Sequence, residues 1–189
     1  PTMVSALRVG LGELKRSGPG VQAGEDKPRT QRDLPFMVLL VGIAVVVAVV
    51  ILTPFVMGGG VGNIGVRVVA AVCITICSFA FVTVSSRIVG MVGVSSNPTS
   101  GMTIVTLLIT AGVFYALGWT DLTGKATALT VGTVVCVSAS IAGDISQDLK
   151  AGYLIGATPR RQQMSELVGG LFAALPVAAA VYLLGDQYG

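Results

Sequence analysis

Five stretches of this chain carry no charged residue at all: 34–66, 68–86, 88–120, 126–143 and 167–185. Each approaches or exceeds the roughly 18–20 residues that a helix needs to cross hydrocarbon. With 53% hydrophobic residues, 11% charged residues and a mean hydropathy of +0.84, the chain falls outside the range of water-soluble globular domains. The fold class expected is all-α, a polytopic transmembrane helix bundle of about five spans. They are placed at about 35–56, 67–88, 101–118, 126–143 and 164–184, together a transmembrane domain over 35–189, with a polar connector at 1–34.

The connector holds six of the twelve basic residues, Arg8, Lys15, Arg16, Lys27, Arg29 and Arg32. Val4, Leu7, Leu11 and Leu14 recur in it at helical spacing, the pattern of a short amphipathic helix at a membrane surface. If the connector is cytoplasmic, Arg87, Lys150, Arg160 and Arg161 join it inside and only Arg67 and Lys125 lie outside, ten basic residues against two. The count sets an orientation for a chain that crosses the membrane several times. The chain opens on Pro1 with no charged-then-apolar signal segment, and five spans is few for a transporter, so a piece of a longer protein is expected. Cys73, Cys77 and Cys136 all fall inside spans. The first two share a helix face, but no third ligand and no histidine accompany them, so they read as small packing residues and no metal site is expected.

Between the second and third spans, Ser95, Ser96, Asn97, Pro98, Thr99, Ser100, Gly101 and Thr103 interrupt the apolar pattern. Asn97-Pro98 is a turn signal, and a Ser or Thr just before an apolar run can cap a helix starting near Gly101. Two readings stand side by side. The stretch is an ordinary interhelical loop, or it is a helix break at membrane depth, which survives only where protein buries it or water reaches it. Thr103, Thr106 and Thr110 then share a face of the third span, where hydroxyls commonly bond their own helix.

The fourth span carries a second polar feature. At 100° per residue, Thr130, Thr133, Val137, Ser140, Asp144 and Asp148 fall within about 80° of one another, with Gln147 beside them. If the helix continues past Gly143, the two carboxylates lie one turn apart and their mutual repulsion favours protonation of one; otherwise both merely solvate a helix end. Residues 144–163 are too polar to span and too apolar at Tyr153–Ala157 for a free linker, so they are expected to fold against the membrane. Thr158 and Pro159 form a cap and first-turn proline for the last helix. There Gly170, Ala174 and Ala178 make a small-residue ridge suited to packing, and Pro176 is a candidate kink.

The stretch Ser95 to Thr103, together with Ala142-Gly143-Asp144-Ile145-Ser146-Gln147-Asp148-Leu149-Lys150-Ala151-Gly152-Tyr153-Leu154-Ile155-Gly156-Ala157-Thr158-Pro159-Arg160-Arg161-Gln162-Gln163, resembles the oligopeptide transporter family, in its bacterial branch close to the yellow-stripe-like metal-chelate transporters. Phe114-Tyr115-Ala116-Leu117-Gly118-Trp119-Thr120-Asp121 extends the likeness. The resemblance implies a repeat-built, proton-coupled secondary transporter of the cell inner (cytoplasmic) membrane that imports small oligopeptides or, alternatively, metal chelates of the siderophore or nicotianamine kind. Family members are several times longer, so a carboxy-terminal portion is implied. Its partners would be lipid, protons, substrate and the remaining helices of the transporter, with no cofactor and no nucleic acid.

On this basis Ser95, Ser96, Asn97, Pro98, Thr99, Ser100, Gly101 and Thr103 are candidate substrate-binding residues. Asp144 and Asp148 are candidates for proton coupling, and Thr130, Thr133, Ser140 and Gln147 for lining the pathway. A non-transporting membrane scaffold is the rival from another class and needs no such polar stripe. An intramembrane enzyme lacks support, because the chain has no histidine and no Gly-x-Ser-x-Gly elbow.

Overall fold

The computed structural model describes residues 28–53, 63–93 and 97–188. Among them are five α-helices: α1 (Phe36–Leu52), α2 (Ile64–Val92), α3 (Thr99–Ala116), α4 (Leu122–Leu154) and α5 (Pro159–Tyr188). Four of these, α2 to α5, are long and apolar enough to cross a membrane, and α1 is a shorter apolar helix of 17 residues. The connector's amphipathic segment, Ser95 and Ser96 lie outside the described residues.

The chain divides into two compact units, and the boundary falls within α4, between Gln147 and Asp148. In the first unit α2 and α4 supply most of the core. Ala70, Val131, Val135 and Ala139 are fully buried, and Val66, Cys73, Ile74 and Cys77 pack with them. These side chains are small, which suits a bundle in lipid, where close backbone approach and dispersion drive association rather than exclusion of water. Gly132 shows how close: a Cβ there would lie 2.6 Å from Leu107 Cδ2. On α3 the packed face is Met102, Thr106, Thr110 and Phe114, one residue per turn.

Local chemistry explains the helix ends. Asn63 caps α2, its Oδ1 accepting from Gly65 N at 2.9 Å, and Asp121 caps α4 through Gly124 N at 3.1 Å. At the other ends α3 and α4 close on glycines with positive φ, Gly118 at 76° and Gly156 at 74°. Each is followed by a 6→1 bond, Trp119 N to Phe114 O and Ala157 N to Gly152 O. Trp119 then turns back to meet the Phe114 ring edge-on, with centroids 5.7 Å apart.

Two expectations need correction. The fourth span, placed at about 126–143, is part of a helix that runs from Leu122 to Leu154, so Asp144 to Leu154 are helical. Carboxylates and amides do not break a helix, and Gly143 sits inside it because a neighbouring side chain occupies the space a Cβ would take. The third span starts at Thr99, two residues before the expected Gly101, with Pro98 in the capping position and no side chain capping it. Proline before a helix presets φ and lacks a donor to satisfy, so the helix begins there without a Ser or Thr cap.

In the second unit, the segment before α1 is fastened to the start of α5. Leu34 N donates to Gln163 Oε1 at 3.0 Å, Gln163 Nε2 to Asp33 Oδ1 at 3.5 Å, and Arg160 N to Arg32 O at 2.9 Å. Gln162 Nε2 donates to the Asp148 carbonyl at 2.6 Å, and its side chain fills the room left by Gly152. Beyond its first turns, α5 is exposed along its apolar length.

Candidate functional site

The turn before α3 is held by one side chain. Asn97 Nδ2 donates to the Ala139 carbonyl at 2.8 Å and also to Ser85 Oγ. Ser85, itself fully buried, donates to the same carbonyl at 2.6 Å. A backbone carbonyl can only accept, so it fixes which end of the Asn97 amide points inward. Gly143 makes room for this arrangement: a Cβ there would stand 2.9 Å from Asn97 Nδ2 and 3.3 Å from Ser85 Oγ. The break at Asn97-Pro98 is thereby joined to α2 and α4 at once, and Asn97 Oδ1 is left buried with no partner.

Two further bonds join the same ends of α2 and α4. Ser146 Oγ donates to the Ser86 carbonyl at 2.7 Å, across the gap left by Gly90, and Gln147 Nε2 donates to the Gly93 carbonyl at 3.1 Å. Gln147 thus serves one of the unpaired carbonyls at the end of α2. On the other side of the turn Pro98, Ser100 and Gly101 are exposed, and the space a Gly101 side chain would enter is open. Thr103 Oγ1 and Thr106 Oγ1 each bond the carbonyl four residues back, at 2.8 Å, whereas Thr110 Oγ1 is buried without a partner.

The stripe on α4 lies on the opposite side of that helix from its packing. Ala128, Val131, Val135, Ala139 and Gly143 are buried, while Thr133, Val137 and Asp144 are exposed and Thr130 and Ser140 half-buried. Thr130 and Thr133 bond their own helix at 3.0 and 2.9 Å. The continuity of α4 puts Asp144 and Asp148 one turn apart, both exposed. Charge at bilayer depth costs about 2.5–3.5 kcal/mol per residue on the insertion scale, so this face is unsuited to lipid wherever its carboxylates lie at that depth.

Glu166 is a residue the sequence reading passed over. It is half-buried in the second turn of α5, its Oε1 is buried without a hydrogen-bond partner, and Asp148 lies within electrostatic reach. The available signal was its position one turn after Gln162, at the edge of the last apolar run.

The family model described as OPT oligopeptide transporter protein matches residues 13–189. A protein of Haemophilus influenzae that carries "oligopeptide transporter" in its name is 33% identical over 132 residues, covering 61% of this chain and 21% of that protein. A Saccharomyces cerevisiae protein with the same words in its name is 35% identical over 88 residues, 46% of this chain and 11% of its own length. The chain therefore spans a small part of the curated relatives it matches. No solved structure matches it.

Proposed function

Because the chain belongs to the oligopeptide transporter family, we propose that it forms part of a proton-coupled secondary transporter that imports small oligopeptides across the cytoplasmic membrane. The observation that carries this reading is the division of α4 into a packed face and an unpacked polar one. A polar face inside a membrane requires water, substrate or protein against it. A scaffold has no use for such a stripe, and a transport pathway does.

In this reading the exposed side of the turn, Ser100 and Gly101 with the first turn of α3, receives a substrate carboxylate, helped by the positive end of the helix dipole. Asn97 acts behind it, holding the break in place through Ala139 and Ser85. Asp144 is the first candidate for the proton site, because it continues the Thr130–Ser140 stripe. The words shared with the relatives' names favour peptides as cargo.

The test is uptake by the full-length transporter of labelled peptides and of iron chelates, with and without a proton gradient. Gradient-dependent accumulation of peptides is expected. Accumulation of chelates alone moves the cargo to the other class, and equal uptake without a gradient removes the coupling. Cysteines placed at Thr133 and Ser140 are expected to react with a water-borne maleimide; protection of both removes the pathway.

A further inference from the structure

The first turns of α5 grip the last turns of α4. Gln162 Nε2 donates to the Asp148 carbonyl at 2.6 Å, and its side chain occupies the space beside Gly152, so this face of α5 lies on the end of α4. Glu166 follows Gln162 by four residues and comes to the same face one turn on. It is half-buried, its Oε1 is enclosed with no hydrogen-bond partner among the described residues, and the Asp148 carboxylate is close enough to act on it. The next residue opens the uncharged run 167–185, so this carboxyl stands at the edge of the apolar length of the helix.

A carboxylate oxygen cut off from water and from donors loses the hydration of its charge without replacement, and a second negative charge nearby adds to the cost. A neutral carboxyl escapes both. The other charged groups in the segments packed at this end are Arg32 and Asp33 ahead of α1 and Lys150 on α4, with Arg160 and Arg161 on α5 itself. We propose that Glu166 carries a proton in this arrangement and that losing it loosens α5 from the end of α4. In that step the Glu166 O–H bond breaks, the proton passes to water, and a carboxylate is left to face the charge of Asp148. On the proton-coupled reading, which this proposal rests on for its use in transport, Glu166 is a second protonation site in addition to Asp144, and the one tied to a contact between helices.

The test uses the full-length transporter purified in detergent, followed by infrared difference spectroscopy against pH and by hydrogen exchange, so that the proton is detected without transport. The unaltered protein is expected to show a carboxylic acid band at neutral pH that Glu166→Gln loses. Asp148→Asn keeps the carbonyl that Gln162 bonds and removes the charge, so the band is expected to disappear at a lower pH in that variant. This second variant keeps the proposal open to refutation if Glu166→Gln does not fold. In the unaltered protein, exchange protection over 148–154 and 159–166 is expected to fall across the pH range in which the band is lost. A band unchanged in Glu166→Gln, a pH range unchanged in Asp148→Asn, or protection indifferent to the loss of the band would each overturn the proposal. Uptake that needs no proton gradient, with the band still present, would remove the coupling and leave the proton on Glu166.

Discussion

Ala139 and Ser140 are neighbours in the chain, as are Gly143 and Asp144, yet α4 sends the two members of each pair to different faces. On one side, the Ala139 carbonyl takes two hydrogen bonds and Gly143 gives up its side chain so that Asn97 and Ser85 can pack. On the other, Ser140 and Asp144 face away from that packing. The first set of polar groups is consumed in holding three segments together, and the second remains for whatever fills the space beside the stripe. A polar residue in a membrane helix is therefore not in itself a sign of a pathway; its partners decide.

Breaking the packed side should have the largest effect. Gly143→Leu places a branched side chain where 2.9 Å separates a Cβ from Asn97 Nδ2, and the overpacking of about 1–3 kcal/mol or more is expected to cut the yield of monodisperse detergent-solubilised transporter sharply. Normal yield and melting temperature would show that the three segments are not tightly joined there. On the open side, Asp144→Asn should leave yield unchanged and lower gradient-driven uptake sharply, because an amide cannot take up and release a proton. Unchanged dependence on the proton gradient would move the role to another carboxylate, with Glu166 the first to test.

Gly101→Leu enters open space at the start of α3, so folding should survive and only peptide affinity should fall, by roughly the 0.5–1.5 kcal/mol of one hydrogen bond. Unaltered affinity in a well-expressed protein would reduce the turn to a connector. The smallest effect belongs to Thr110→Val. Its hydroxyl is buried without a partner, so an isosteric apolar group should change the melting temperature little or raise it, and leave uptake as it was. A loss of uptake there would extend the pathway into the packed face of α3.

Much of this was legible in the sequence because it depends on local pattern. Uncharged runs marked the helices, Asn97-Pro98 marked the break, and the 100° wheel gathered Thr130 to Asp148 on one stripe. What could not be read depends on partners far along the chain. Asn97 looks like any turn asparagine until it is seen to bond a carbonyl 42 residues away. Gly143 looks like a helix end, and its accommodation of that asparagine is visible only in three dimensions. Gln162 and Gln163 fall near the start of the last helix, where nothing in the sequence shows that one grips the Asp148 carbonyl and the other ties down Leu34.

The 17-residue α1 stands beside the 29-residue α2. At 1.5 Å per residue these are about 26 Å and about 44 Å long, against a hydrocarbon core of about 30 Å. Arg67, in the first turn of α2, donates to the Ile51 carbonyl at the end of α1, so both helices are pinned to a common depth at that end. Placed across a bilayer, α2 would have a surplus to be taken up by tilt or by emergence at the far end, and α1 a shortfall. In a bilayer of shorter-chain lipids, the mismatch at α1 would be smaller.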